Sequence, residues 1–180
     1  INSVLGMNEM ILRECEDSKI REYALNIASS GKTLLQLIND VLDLSKIESG
    51  KLEVIPLEYN LADIIHDLET MIRPLIKTDN ITLHIETSEH LPKTLSGDAI
   101  RVKQMVTNIL TNAVKYTEEG SVTMEVRSEV IETNKVRIHY SVADTGIGIK
   151  KESMPYLFES FRRVDEKKNR KIEGNGLGLS

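Results

Sequence analysis

Asp144-Thr145-Gly146-Ile147-Gly148-Ile149 follows an alternating apolar run, and Gly174-Asn175-Gly176-Leu177-Gly178-Leu179 closes the chain thirty residues later. Asn108 and Asn112 stand four apart on a predicted helix upstream. In this order they are the parts of a nucleotide pocket. A carboxylate can read a base, amide oxygens can hold a metal ion, and glycines let backbone approach a base or a phosphate.

Working outward from Asp144, the residues Val136, Ile138, Tyr140 and Val142 alternate as a strand, so the carboxylate falls at a strand end. There it can accept the exocyclic amino group of adenine, with Gly146 and Gly148 passing close to the ring; an ordinary Asp-Thr-Gly turn has the same sequence. Val122, Met124 and Val126 alternate before it, across a Thr133-Asn134 turn. Asp98 is placed to cap a helix running to about Tyr116. With Gln104 set at zero and about 100° per residue, Asn108, Asn112 and Lys115 fall at roughly 40°, 80° and 20°. Val106, Ile109, Leu110 and Ala113 fall between roughly 140° and 240°. One face packs into a core, and the other presents amides and an ammonium in a row. Amide oxygens suit a magnesium ion that also takes phosphate oxygens, and Lys115 is placed to meet phosphate charge. A merely solvated face would read the same way if seen alone.

Gly174, Gly176 and Gly178, just before a helical start, would aim backbone amides at phosphate. The loop is not a P-loop, since no Gly-Lys-Ser/Thr follows, and no Gly-x-Gly-x-x-Gly dinucleotide fingerprint is present. Phe158 and Phe161 flank Glu159-Ser160 and precede Arg162 and Arg163, and the charged stretch from Asp165 to Glu173 reads as a flap whose arginine could reach a γ-phosphate. The two phenylalanines could equally plug the core beneath a solvated loop.

The first part of the chain has a different period. Ile20, Tyr23, Ile27, Ser30, Leu34, Leu37, Val41 and Leu44 step by three and four, the spacing of supercoiled helices, and Leu35, Ile38 and Leu42 widen the stripe toward a bundle. Ile1, Val4, Leu5, Ile11 and Leu12 mark a shorter helix before it, with Asp17 or Ser18 able to cap the second. Two antiparallel helices bury little alone. The hairpin is expected to pair with a second copy into four helices, the alternative being an arm packed on the second half. Gly50 ends the second helix, Lys51 to Asn60 reads as a strand and connector, and Leu61 to Ile76 reads as a helix with Pro74 in its last turn.

The expected fold is therefore α+β. A helical hairpin over 1–50 (a four-helix bundle in the dimer) is followed by a linker and first strand over 51–60. An α/β sandwich with a mixed sheet fills 61–180. The 180 residues carry a net charge of −5, which argues against nonspecific nucleic-acid binding. The lone Cys15 allows no internal disulfide and fits a reducing compartment. No apolar run approaches the ~20 residues of a membrane span, so this segment is expected to be cytoplasmic, without direct membrane contact, whether or not its parent is anchored in the cell membrane.

With these residues in place, the second half resembles the ATP-binding domain of sensor histidine kinases, a fold shared with gyrase, the Hsp90 chaperones and MutL. Gln104-x-x-x-Asn108-x-x-x-Asn112-Ala113-x-Lys115-Tyr116-Thr117 looks like the family's asparagine box. Asp144–Ile149 looks like its first glycine box, Phe158–Arg163 its phenylalanine box, and Gly174–Leu179 its second glycine box. Val41 to Gly50 resembles the end of the same kinases' dimerisation hairpin. The resemblance implies ATP and Mg²⁺ as ligands, with Asn108 and Asn112 holding the metal with the phosphates and Lys115 on phosphate beside Tyr116. It implies that Asp144 reads adenine, Gly146 and Gly148 support the base, and Arg163 meets the γ-phosphate. Backbone amides around Gly174, Gly176, Leu177 and Gly178 would line the phosphate site. It further implies transfer of the γ-phosphoryl group to a histidine and onward to an aspartate of a response-regulator receiver domain.

None of His66, His84, His90 and His139 lies on the hairpin, and the family's acceptor segment is expected just upstream of Ile1. The stretch is accordingly read as a fragment of a longer enzyme, cut short at both ends. As it stands it is not expected to phosphorylate itself. An ATP-hydrolysing clamp of the gyrase type would need a glutamate where Gln104 stands, and an amide is no general base. A nucleotide-sensing scaffold that docks a receiver without transferring phosphate is the remaining alternative.

Overall fold

The computed structural model describes residues 1–76, 78 and 80–157. The chain divides into two compact units, Ile1–Leu52 and Glu53–Ser180.

The first unit is a hairpin of α1 (Asn2–Glu14) and α2 (Ser18–Glu48). Asp17, rather than Ser18, caps α2, its carboxylate accepting the N–H groups of Lys19 (2.9 Å) and Ile20 (3.1 Å). The helix ends as a C-terminal glycine dictates, with Gly50 at φ 65°, a left-handed conformation that a side chain would oppose. The helices meet closely where α2 carries Gly31, because a Cβ there would run into the Leu5 side chain. At the same seam Asn8 is buried and donates from Nδ2 to the Ala24 carbonyl at 2.7 Å. A buried amide bonded at one defined carbonyl penalises sliding of one helix along the other. Ile20, Tyr23, Ile27, Leu34, Ile38 and Val41 nevertheless stay exposed on α2 within a single chain.

The second unit begins with β1 (Leu57–Asn60) and α3 (Leu61–Ile72), followed by a 3-10 turn over Arg73–Leu75. The helix expected to reach Ile76 thus stops at Ile72. Pro74 has no N–H to continue the helical ladder, and the chain tightens into the 3-10 turn instead. Next come β2 (Ile81–Thr87), β3 (Thr94–Gly97), α4 (Ala99–Tyr116), β4 (Gly120–Glu132) and β5 (Lys135–Asp144), then a 3-10 segment over Lys151–Tyr156. β2, β4 and β5 form a mixed sheet in that order, β2 parallel and β5 antiparallel to β4. β1 and β3 pair separately as an antiparallel ribbon.

Alternation decides the core. Val122, Met124 and Val126 of β4 are completely buried, facing Val106 and Leu110 of α4 and Leu68 and Ile72 of α3 in one cluster. Each such side chain contributes about 1.5–3 kcal/mol by leaving water. The alternate residues Thr82, His84 and Glu86 of β2, and Arg137 and His139 of β5, face solvent. Asp98 caps α4 by accepting the N–H of Arg101 (3.1 Å) and also takes the N–H of Ile55 (3.2 Å). These donors hold its carboxyl below the usual carboxylate range.

Tyr140 of β5 packs against this core, and its hydroxyl has no hydrogen-bond partner among the described residues. Burial, with Tyr59 nearby, pushes its phenol up to about 12. The folded-state value lies above the ~10 of an exposed tyrosine. The stability tied to the neutral phenol is therefore complete below about pH 10 and lost as pH rises through about 12. Tyr140→Phe should remove the last-ionising tyrosine from an alkaline absorbance titration and move base-induced unfolding to higher pH, with neutral-pH stability equal or greater.

Candidate nucleotide-binding site

Helix α4 places its residues as the 3.6-residue period requires. Val106, Leu110, Ala113 and Val114 are buried, while Gln104, Asn108, Asn112 and Lys115 are partly exposed along the other side. The side-chain amides of Asn108 and Asn112 make no hydrogen bond among the described residues, which leaves both amide oxygens available to a ligand. Gln104 accepts from the Arg101 guanidinium at 2.8 Å. The Lys115 ammonium lies 5.3 Å from the centre of the Tyr116 ring. The helix ends where the Thr117 hydroxyl donates back to the Ala113 carbonyl at 2.8 Å, satisfying a buried polar side chain.

Asp144 is the last residue of β5, opposite Val122, and is exposed. Its Oδ1 accepts the Gly146 N–H at 2.9 Å, closing a tight Asx turn. The other carboxylate oxygen has no partner among the described residues. Ile147 N–H donates to the Tyr116 carbonyl at 3.1 Å, so the glycine segment is tied to the end of the helix that bears the amide face. Gly146 is required at that junction. An added Cβ would overlap the Tyr116 carbonyl oxygen and stand 2.9 Å from Asp144 Oδ1. Gly148 has φ 67° and open space around it, so conformation alone selects glycine there.

The structure thus brings together Asn108, Asn112, Lys115, Tyr116, Asp144, Gly146 and Gly148 on one helix and the strand end tied to it. Arg163, Gly174, Gly176, Leu177 and Gly178 lie outside the described residues, as do Phe158 and Phe161. Sequence reasoning missed Thr145 and the Glu119–Ser121 turn. Thr145 N–H donates to the Ser121 carbonyl (3.1 Å), and its hydroxyl accepts the Ser121 N–H (2.9 Å). The available signal was a glycine opening a strand opposite the end of its partner. A separate cavity of about 400 Å³, lined by Asn60, Ile65, His66, Leu91 and Lys93 among others, shares no residue with this set.

Among the described residues no three His, Cys, Asp or Glu side chains gather as a metal site. The side-chain oxygens of Asn108 and Asn112 are hard, neutral donors of the kind magnesium accepts beside phosphate and water.

Residues 97–180 match the family model described as histidine kinase-, DNA gyrase B-, and HSP90-like ATPase, and residues 1–50 match the His Kinase A (phospho-acceptor) domain. The α/β unit is therefore a module of that ATPase class. Hybrid signal transduction histidine kinase B of Dictyostelium discoideum is 37% identical over 180 residues, covering 100% of this chain and 9% of that protein. Signal transduction histidine-protein kinase BarA of Escherichia coli is 32% identical over 179 residues, covering 99% of this chain and 20% of that protein. Among solved structures, full-length ShkA in complex with AMPPNP is similar with a TM-score of 0.74 and 29% identity, over 99% of this chain and 36% of that one. The chain thus carries a helical hairpin of the His Kinase A (phospho-acceptor) family followed by a module of the histidine kinase-, DNA gyrase B-, and HSP90-like ATPase family, the domain pair of sensor histidine kinases. It spans a fifth or less of the length of these curated relatives. No helix among the described residues is long and apolar enough to cross a membrane.

Proposed function

We propose that this segment is the catalytic core of an ATP-dependent protein-histidine kinase, moving the γ-phosphoryl group of ATP to a histidine and then to a receiver aspartate. The observation that carries the reading is the 3.1 Å bond from Ile147 N–H to the Tyr116 carbonyl. It ties the strand end that bears Asp144 to the helix that bears Asn108, Asn112 and Lys115, which supports one site built from both. The AMPPNP complex of ShkA supports an adenine nucleotide as the ligand.

In this reading Asp144 accepts the adenine amino group with the oxygen that Gly146 leaves unused, and the glycine backbone lies along the ring. Asn108, helped by Asn112, would hold Mg²⁺, which when bound neutralises phosphate charge. Lys115 swings from the Tyr116 ring to phosphate, Arg163 meets the γ-phosphate, and amides at Gly174, Gly176, Leu177 and Gly178 line the phosphates. Catalysis is positioning and charge stabilisation, since phosphoryl transfer asks little covalent chemistry of the protein. The β–γ bridging P–O bond breaks, a P–N bond to the histidine ring forms, and ADP leaves. Gln104 cannot activate water as a carboxylate would, which favours transfer over hydrolysis.

The exposed apolar stripe of α2 supports a homodimer in which two hairpins cover each other as four helices. The expected partners are thus a second copy and a response-regulator receiver domain.

Incubation of the full-length protein with γ-labelled Mg·ATP should label it, and the label should be lost in acid and survive base, as phosphohistidine does. ATP bound with no label on the protein would overturn the kinase reading and leave a nucleotide-sensing scaffold.

A further inference from the structure

We propose that Thr145 is a positioning residue for base recognition, its hydroxyl seated on Gly120 so that Asp144 is aimed at the adenine. The inference rests on the reading that Asp144 accepts the adenine amino group.

β5 ends at Asp144, and past that residue the ladder to β4 has no further rungs. What continues the attachment is Thr145. Its N–H reaches the Ser121 carbonyl at 3.1 Å, and its hydroxyl takes the Ser121 N–H at 2.9 Å. The hydroxyl also stands 3.3 Å from the Glu119 carbonyl and 3.4 Å from that of Ser121, one of which receives its hydrogen. A single side chain therefore closes over the turn between α4 and β4.

That approach exists only because residue 120 is glycine. Gly120 has φ 118°, a conformation other residues rarely adopt, and a Cβ there would overlap the Thr145 hydroxyl and lie 3.1 Å from the Thr145 Cβ. Gly120 and Thr145 are thus a matched pair.

The consequence falls on Asp144 from both directions. Upstream it is held by the last rung of the ladder, and downstream by the Gly146 N–H on Oδ1. Thr145 lies between, and Ile147 beyond it is bonded to the end of α4. Without the Thr145 hydroxyl the Ser121 N–H loses its acceptor, and the strand end can lift from the turn. Asp144 would keep its charge and lose its direction. A carboxylate free to swing no longer penalises a base that lacks the amino group, so both affinity and selectivity fall.

The test uses the full-length protein with Thr145→Val, Thr145→Ser and Asp144→Asn, each checked for its thermal midpoint by circular dichroism. Affinity for Mg·ATP is measured with GTP as competitor, and KM and kcat for ATP are followed by incorporation of label. For Thr145→Val we expect a KM about tenfold higher with kcat within about twofold, and a smaller preference for ATP over GTP. Thr145→Ser, which keeps the hydroxyl, should restore both. Should the valine variant fail to fold, Thr145→Ala takes its place, being smaller and equally without a hydroxyl. A folded hydroxyl-free variant with native KM and selectivity overturns the proposal, as does a serine variant no better than it. Asp144→Asn separates the two levels. If it leaves ATP affinity unchanged, the base-reading role itself is wrong and this inference falls with it. If it weakens ATP while Thr145→Val does not, only the positioning role is wrong.

Discussion

Asp144→Asn is expected to weaken ATP binding about 100-fold while leaving the fold intact, the loss that follows when a site built to accept a hydrogen bond meets a donor instead. In the proposed reading the two oxygens of this carboxylate have separate duties. Oδ1 accepts the Gly146 N–H at 2.9 Å and forms the turn. An asparagine can do the same with its amide oxygen, so the turn survives the substitution. The atom presented to the base then becomes an NH₂ group, facing the amino group of adenine donor to donor. A base with a carbonyl at that position, as in ITP, should suffer much less. Calorimetric titration with ATP and ITP on the variant and the parent checks this, and equal losses for the two nucleotides would contradict it.

Gly146→Ala should abolish measurable nucleotide binding, and Gly148→Ala should not. At Gly146 the added methyl would stand 2.3 Å from the Tyr116 carbonyl oxygen and 2.8 Å from its carbon. Neither neighbour can retreat, because the carbonyl belongs to the last turn of α4 and the strand end is held by its ladder. The glycine segment must peel from the helix, losing the Ile147–Tyr116 bond and the direction of Asp144. Overpacking of this kind costs about 1–3 kcal/mol of stability, a cost the sheet and its buried core can absorb. At Gly148 nothing lies within 4 Å of the new methyl, and only the φ of 67° resists it. That strain is about 1–2 kcal/mol. Both variants should therefore fold, with a loss of binding only in the first; equal binding by the two would refute the clash.

Much of this was legible in the residues because it was local. Asp98 and Asp17 are side chains whose caps are read from their own neighbours, and Gly50 ends a helix by its own conformational freedom. The Thr133-Asn134 turn announced the β4–β5 hairpin in the same way. The fragments of the site were legible because they lie on single elements: an amide every turn of α4, a carboxylate at the end of β5. What was not legible depends on residues distant in sequence. β3 spans only Thr94–Gly97, too short for alternation to show, and it pairs with β1 outside the main sheet. Alternation in β2 says which side chains turn inward, but not that the strand runs parallel to β4. The contact of Thr145 with Gly120 has no motif, because it is made by two turns that meet only when β4 and β5 are paired. Pro74 is plain in the sequence, but that the helix stops before it shows only in the 3-10 turn over Arg73–Leu75.

The parallel pairing of β2 with β4 carries a consequence for how the molecule opens. Parallel neighbours cannot be joined by a tight turn; here the connection includes β3 and the whole of α4, the helix that carries Asn108 and Asn112. The helix is thus the bridge that holds the middle strand of the sheet to its edge, and in the proposed reading also one wall of the nucleotide site. Amide hydrogens of β4 should then exchange with solvent only through the same cooperative event that dismantles the site, and bound nucleotide should slow their exchange even at Met124, which faces away from it toward the core. Ligand occupancy would in that case be written into the slowest-exchanging hydrogens of the sheet.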